Sequence, residues 1–235
     1  MSGAEAALID LTAPGSAPTT VNGAIFQISD PNTGAGSGAI KSFLRTQANT
    51  TEAGFNTDGA LTLDQVGGCC THSITLDQLK LVNVGGTDYF ALSLDINEPN
   101  GGAKPRITLQ SLELWVNTTT GSDSNYLDGL GTRVWDLAGN TLELSGALGS
   151  GGSGDFDYDV LFSTALLAGF SPGDYLYLYN VFGKSGSSGS ASEGGFEEWA
   201  ARTVATSAVP APATVWLLGT GLLGVLGWSR RKAAA

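Results

Sequence analysis

The chain has 235 residues and a formal net charge of -11, with 22 acidic side chains against 11 lysines and arginines. Such an acidic chain repels the phosphate backbone, which argues against nucleic acid as a partner. Charged residues make up only 14% of the chain, whereas glycine occurs 34 times. Together with abundant Ser, Thr and Asn, this composition is typical of a β-rich extracellular protein and not of a cytosolic enzyme.

The first residues lack the basic and apolar regions of a complete secretory signal peptide. Ala4-Glu5-Ala6 nevertheless has the A-x-A pattern that precedes a cleavage site, and a strand-like run begins at Ala7. We therefore expect residues 1–6 to be the remnant of a signal peptide that starts upstream of Met1.

Short runs of β-branched, aromatic and leucine residues recur down the body, each bounded by Gly, Asn, Asp or Pro. They predict strands over residues 24–28, 40–44, 74–84, 89–96, 107–116, 132–137, 141–144, 156–162 and 175–181. So many short strands favour an all-β fold, an antiparallel β-sandwich or jelly roll, which we expect to span residues 7–208.

Two of these predicted strands share an irregular apolar spacing. In residues 74–83 and again in residues 107–117, one gap of three residues interrupts the two-residue alternation. An extra residue in the middle of a strand is the sign of a β-bulge, so we predict a bulge in both.

The last predicted strand alternates Tyr175, Tyr177 and Tyr179 with two leucines. Successive side chains of a strand point to opposite faces, so the tyrosines share one face. We expect this face to pack against a second sheet; the alternative is an exposed row of rings that stacks on sugars.

Cys69 and Cys70 are the two cysteines of the chain and are adjacent. In an oxidising compartment they can form a vicinal disulfide or pair between chains, and the alternative is two reduced thiols. His72, the single histidine, follows two residues later. A hydrolase triad needs a base held between a nucleophile and an acid, and we expect His72 to be structural and not part of such a triad.

The strongest candidate for a ligand site in the body is an alternating run of carboxylates, Asp155, Asp157 and Asp159. Carboxylates on one strand face repel each other unless water or a hard cation such as Ca²⁺ screens them. We expect a solvated acidic face, with a Ca²⁺ site as the alternative cofactor prediction. Paired carboxylates also serve glycosidases, but the spacing here does not place two of them across a cleft.

The C-terminal residues 209–235 form three consecutive parts. The prolines Pro210 and Pro212 disfavour helix at and just before them. An apolar run then extends from Val215 to Trp228, which we predict to be a short transmembrane helix. A basic cluster follows as the cytoplasmic stop, which places the preceding chain outside the inner membrane. The cluster consists of Arg230, Arg231 and Lys232.

This tail resembles the PEP-CTERM sorting signal of Gram-negative bacteria, in particular its VPxPA variant. The matching residues are Val209, Pro210, Pro212 and Ala213, followed by a Trp-Leu-Leu-Gly-x-Gly-Leu-Leu-Gly run; Ala211 replaces the glutamate that is commonest between the prolines. The resemblance implies export, transient anchoring in the inner membrane and cleavage by an exosortase. It further implies delivery to the cell surface or to the exopolysaccharide matrix of a biofilm.

Parts of the body are similar to an uncharacterised group of PEP-CTERM proteins, a looser resemblance that supplies no activity. The similar segments are residues 55–58, 71–73, 94–98 and 195–199. We expect a noncatalytic structural or interaction role, with exosortase and exopolysaccharide as partners. The alternatives are a carbohydrate-binding module, Ca²⁺-dependent or not, and a glycan-active enzyme.

Overall fold

The computed structural model describes residues 7–30, 40–99, 105–119, 129–148, 155–184 and 189–202. The signal-peptide remnant predicted at residues 1–6 and the tail predicted at residues 209–235, with its helix, lie outside these ranges. The described strands all belong to one compact unit within residues 1–205.

The described part of the chain is all-β. Its strands are β1 (Leu8–Asp10), β2 (Thr19–Val21), β3 (Ala24–Ile28), β4 (Leu44–Thr46), β5 (Asn49–Phe55), β6 (Ile74–Thr75), β7 (Leu81–Val84), β8 (Thr87–Ile96), β9 (Arg106–Asn117), β10 (Thr132–Asp136), β11 (Thr141–Ser145), β12 (Tyr158–Ser163), β13 (Tyr175–Gly183), β14 (Ser192–Glu193) and β15 (Glu197–Arg202). Two 3₁₀ turns, Leu76–Gln78 and Thr164–Leu167, join strands.

The strands form two sheets, as the predicted β-sandwich requires. The first sheet runs β1-β11-β9-β13-β5-β14, with β10 beside β9 and β6 beside β13. The second runs β2-β3-β12-β8-β15-β4, with β7 beside β8. Every pairing is antiparallel except that of β1 with β11.

The core lies between the two sheets and is built by the inward half of each alternating strand. Leu112, Leu114, Leu176 and Leu178 of the first sheet join one hydrophobic cluster with Phe90, Leu92, Leu94, Val160 and Phe162 of the second. Each such side chain contributes roughly 1.5–3 kcal/mol by leaving water. Tyr158 adds a polar link, because its hydroxyl donates to the carbonyl of Leu11 (3.0 Å) and accepts from the backbone N–H of Ser145 (2.9 Å).

The expectation that the tyrosine row packs against the second sheet is wrong, because the leucines of β13 occupy that position. Tyr177 and Tyr179 lie on the opposite face of β13, in a separate cluster with Phe55 and Leu130. Both are buried all the same, at 0% and 9% exposure. Leu63 and Leu130, which lie outside the strands, pack against these tyrosines in place of the second sheet that the sequence pattern predicts.

The bulge predicted for residues 107–117 is confirmed. Val181 of β13 lies opposite Ser111 and the next residue, Phe182, lies opposite Leu109, so Gln110 is the extra residue of β9. The bulge predicted for residues 74–83 is wrong. There the chain leaves β6 of the first sheet, turns through Leu76–Gln78 and enters β7 of the second.

Candidate functional site

The three aspartates of the predicted ligand site lie in and just before β12. Asp157 and Asp159 are 2% and 1% exposed, so the expectation of a solvated acidic face is wrong. The backbone N–H of Ile96 donates to Asp157 Oδ2 at 2.8 Å, and the hydroxyl of Ser93 donates to Asp159 Oδ1. Both carboxylates therefore join β12 to the neighbouring β8.

Asp155 differs from the other two because its Oδ1 atom is buried and accepts no hydrogen bond. Among the described residues, no group of three or more His, Cys, Asp or Glu side chains is arranged to hold a metal ion. The Ca²⁺ prediction at these aspartates stays a prediction.

Cys69 and Cys70 are joined in a disulfide across a single peptide bond, with their Cα atoms 3.8 Å apart. Cys70 is 3% exposed, whereas Gly67, Gly68 and Cys69 are exposed at the surface. His72 lies two residues after Cys70, and its backbone N–H donates to the carbonyl of Phe43 at 2.9 Å. The disulfide thus lies at an exposed loop whose C-terminal end is bonded to the second sheet.

The outer face of the first sheet carries two aromatic side chains that stay half-buried, Trp115 of β9 and Tyr175 of β13. The indole N–H of Trp115 donates to Glu113 Oε2 at 2.9 Å, and the exposed Arg133 lies over the indole ring at 5.7 Å. Tyr175 stacks on the buried Tyr177 with ring centroids 6.4 Å apart. We call Trp115, Tyr175, Glu113 and Arg133 the aromatic platform.

A group of buried glutamates was not predicted from the sequence. Glu52 of β5, Glu98 just beyond β8 and Glu197 of β15 are 0%, 5% and 0% exposed. We call these three residues the glutamate cluster. The one signal in the sequence is the presence of Glu in runs that end in aromatic residues, 49–55 and 196–199. That signal is too weak to indicate which carboxyl groups turn inward.

Two carboxyl groups of the cluster, those of Glu197 and Glu98, have a raised pKa. Burial is the largest cause of the rise in the pKa of Glu197, which lies well above its usual range, and interactions with Glu52 and Glu98 add to it. Burial also raises the pKa of Glu98, although backbone and Ser192 hydrogen bonds oppose the rise. Low-dielectric surroundings and like charges both favour the neutral carboxyl form, so burial and the neighbouring carboxyl groups act on Glu197 in the same direction.

Among the residues that the structure describes, none forms a helix long and apolar enough to cross a membrane. The sorting residues Val209, Pro210, Pro212 and Ala213 and the basic stop Arg230, Arg231 and Lys232 lie outside the described residues. Their identification rests on sequence alone.

Comparison with known proteins gives a family match in the tail of the chain. No curated protein matches the chain. No solved structure matches it either. Residues 208–232 match the PEP-CTERM protein-sorting motif, so the chain carries the C-terminal signal of an exported protein that is processed by an exosortase.

Proposed function

We propose that this chain is a noncatalytic structural or interaction protein of the cell surface or the exopolysaccharide matrix. The match of residues 208–232 to the PEP-CTERM motif carries the proposal, because that signal belongs to exported proteins. The β-sandwich before it is then the mature part, and exosortase and exopolysaccharide are its partners. The inner membrane holds the chain only until cleavage.

Within the tail, Val209, Pro210, Pro212 and Ala213 are the proposed recognition residues of a VPxPA-type signal. Two prolines separated by one residue hold the chain extended, which presents the backbone to a protease before the apolar helix begins. The predicted helix from Val215 to Trp228 and the basic cluster after it would hold the cleavage site at the outer surface of the inner membrane.

The sorting proposal is tested by expressing the full chain in a host with and without its exosortase gene. We expect a shortened, released form only when exosortase is present, and an uncleaved membrane form of the Pro210→Ala/Pro212→Ala variant. Pro172→Ala, in an exposed loop of the body, is the matched control and should be processed normally. Cleavage that persists without exosortase, or in the double variant, would contradict the proposal.

A carbohydrate-binding role is the second candidate, and the aromatic platform favours it. Half-buried Trp and Tyr rings present apolar surface on which sugar rings stack. Glu113, which is bonded to the indole N–H, and Arg133, which lies over the indole ring, supply hydrogen-bonding groups beside that surface. The rest of the outer tyrosine row, Tyr177 and Tyr179, is buried and unavailable to a ligand. The proposed sugar contact is therefore confined to Trp115 and Tyr175.

The sugar proposal is tested by binding of the full chain to exopolysaccharide from the producing cells and to a glycan array. We expect Trp115→Ala and Tyr175→Ala each to weaken binding at least tenfold. Tyr89→Ala is the matched control, because Tyr89 is also a half-buried tyrosine but lies in a different cluster. Equal binding by all variants would exclude the aromatic platform as the sugar-binding site.

A chelator added in parallel tests the Ca²⁺-dependent form of the proposal, for which Asp155, Asp157 and Asp159 are the candidate ligands.

A further inference from the structure

The glutamate cluster places three carboxyl groups between the two sheets. Glu52 is on β5 of the first sheet and lies opposite the inward-facing Phe182. Glu197 is on β15 of the second sheet, two residues before Trp199, which stacks on Phe182 with centroids 6.4 Å apart. Glu197 therefore faces the interior on the same side of β15 as a core tryptophan.

Two members of the cluster receive hydrogen bonds as carboxylates do. Glu52 accepts from the hydroxyl of Thr46 at 2.8 Å and from the backbone N–H of Ala48 at 3.0 Å. Glu98 accepts from the backbone N–H of Glu193 at 2.8 Å and from the hydroxyl of Ser192 at 3.1 Å. Each has at least two donors, so each can carry the negative charge.

Glu197 is the exception, because neither of its buried carboxyl oxygens receives a hydrogen bond. Its contacts at hydrogen-bond range are the carboxyl groups of Glu52 and Glu98, which have no hydrogen to give when ionised. The charged groups acting on it from β5 and from the segment beyond β8 are thus both acidic. The other neighbours of the cluster, Thr46 of β4 and Ser192 of β14, are neutral.

A buried carboxylate without a donor costs far more free energy than a neutral carboxyl group that donates to a neighbouring acceptor. Protonating Glu197 turns its contact with Glu52 into a donor–acceptor bond and removes one of the two negative charges from its contact with Glu98. The donors already bound to Glu52 make that carboxylate a ready acceptor. Arg45 does not relieve the charge, because it pairs with Glu198, the next residue of β15, whose side chain points to the opposite face of the strand.

We propose that Glu197 is a neutral carboxyl group that donates its hydrogen to Glu52, and that this proton-dependent bond holds β15 against the first sheet. β15 ends at Arg202, and the sorting motif begins at residue 208. The bond therefore anchors the last described strand before the segment that exosortase processes, and acid strengthens the anchor.

The sign of the pH effect follows from the raised pKa values of Glu197 and Glu98. In the unfolded chain a glutamate ionises near its ordinary pKa of about 4.3. The folded chain holds its proton to higher pH, so the unfolded state binds fewer protons in the interval between the two values. The stabilisation is fully present below the unfolded pKa and is lost as the pH rises through the folded pKa.

The test measures the urea midpoint of the full chain in detergent at pH 5 and at pH 8. We expect the urea midpoint of the wild-type chain to fall as the pH rises. In Glu197→Gln the midpoint should change much less with pH, because the glutamine amide donates a hydrogen bond at every pH and does not ionise. Glu193→Gln is the matched control, since Glu193 is exposed, and should keep the wild-type fall. An undiminished fall in Glu197→Gln overturns the proposal.

A second measurement covers the case in which the glutamine variant does not fold. Infrared spectra of the wild-type chain with isotope-labelled glutamate should contain the C=O stretch of a protonated carboxyl group at neutral pH. Absence of that band overturns the proposal. So does its disappearance on addition of Ca²⁺ together with a rise in the urea midpoint, because the cluster would then bind a divalent cation in place of a proton.

Discussion

Arg45 of β4 donates to a single carboxylate oxygen of Glu198 on the neighbouring β15, through Nε at 2.9 Å and Nη2 at 2.6 Å. The same oxygen accepts from the hydroxyl of Ser42 at 2.9 Å. The carboxylate side chain is only 6% exposed, whereas the arginine is 26% exposed and also lies over the ring of Phe196 at 4.4 Å. This pair fastens the edge strand β4 to β15 on the face opposite the glutamate cluster.

Removing one partner of this pair should be costly, because the other then lies partly buried without a counter-charge. We predict that Glu198→Ala lowers the free energy of unfolding by about 2–3 kcal/mol, below the range for fully buried pairs because Arg45 reaches solvent. Glu193→Ala, at an exposed position, should change it by less than about 0.5 kcal/mol. A double-mutant cycle of Arg45→Met with Glu198→Ala isolates the coupling. A coupling energy near zero would mean that the pair contributes no more than a surface ion pair.

The sequence patterns predict several strands well, because in those strands the buried side chains are the apolar residues of the pattern. The predicted run 24–28 matches β3, and the run 107–116 matches β9 (Arg106–Asn117) to within one residue at each end. The strand β5 was missed, since its sequence, Asn-Thr-Thr-Glu-Ala-Gly-Phe, buries a glutamate where the pattern calls for an apolar residue. β15 was missed for the same reason, as it begins with two glutamates that are both buried.

The same apolar spacing gives two different local structures, so the sequence pattern alone does not determine which of them forms. In β9 the extra residue Gln110 is absorbed as a bulge because the strand continues in register with β13 on both sides. Around Leu76 the chain instead turns, and a capping box between Thr75 and Gln78 supports the turn. Local spacing marks the irregularity, but the neighbouring strand decides whether the chain stays in the sheet. The glutamate cluster is equally invisible from sequence, because its members lie on strands far apart in the chain.

Gly183, at the end of β13, should tolerate no larger residue. Its backbone has φ +106°, and a Cβ atom there would contact the carbonyl oxygen of Thr50 and lie 2.8 Å from Cα of Thr51. We predict that Gly183→Ala destabilises the chain by about 2 kcal/mol or more, through backbone strain and displacement of β5. Gly173→Ala is the control, because a Cβ there meets nothing within 4 Å. Thermal unfolding checks both, and equal melting temperatures would contradict the prediction.

The vicinal disulfide should contribute little to global stability. It joins residues adjacent in sequence, so it closes a minimal loop and removes little entropy from the unfolded chain. We predict that reduction lowers the free energy of unfolding by at most about 1–2 kcal/mol.

After reduction, Cys69 should react with a thiol reagent well before Cys70, because Cys69 is exposed and Cys70 is 3% exposed. Peptide mapping of the labelled chain measures this, and labelling of both cysteines without reductant would show that the exported protein lacks the bond.

The basic stop should decide whether the tail is held in the membrane for processing. Lysine and arginine near the end of an apolar segment favour the cytoplasmic side, whereas aspartate contributes little to orientation. We predict that changing Arg230, Arg231 and Lys232 together to aspartate reduces the exosortase-cleaved form at least tenfold, as measured by immunoblotting of membrane and released fractions. A matched control changes the exposed Lys41, Lys80 and Lys184 to aspartate, which makes the same charge change in the body. If this control loses processing equally, the net charge of the chain and not the basic stop governs cleavage by exosortase. If neither variant loses processing, the apolar segment alone is enough to hold the tail in the membrane for cleavage.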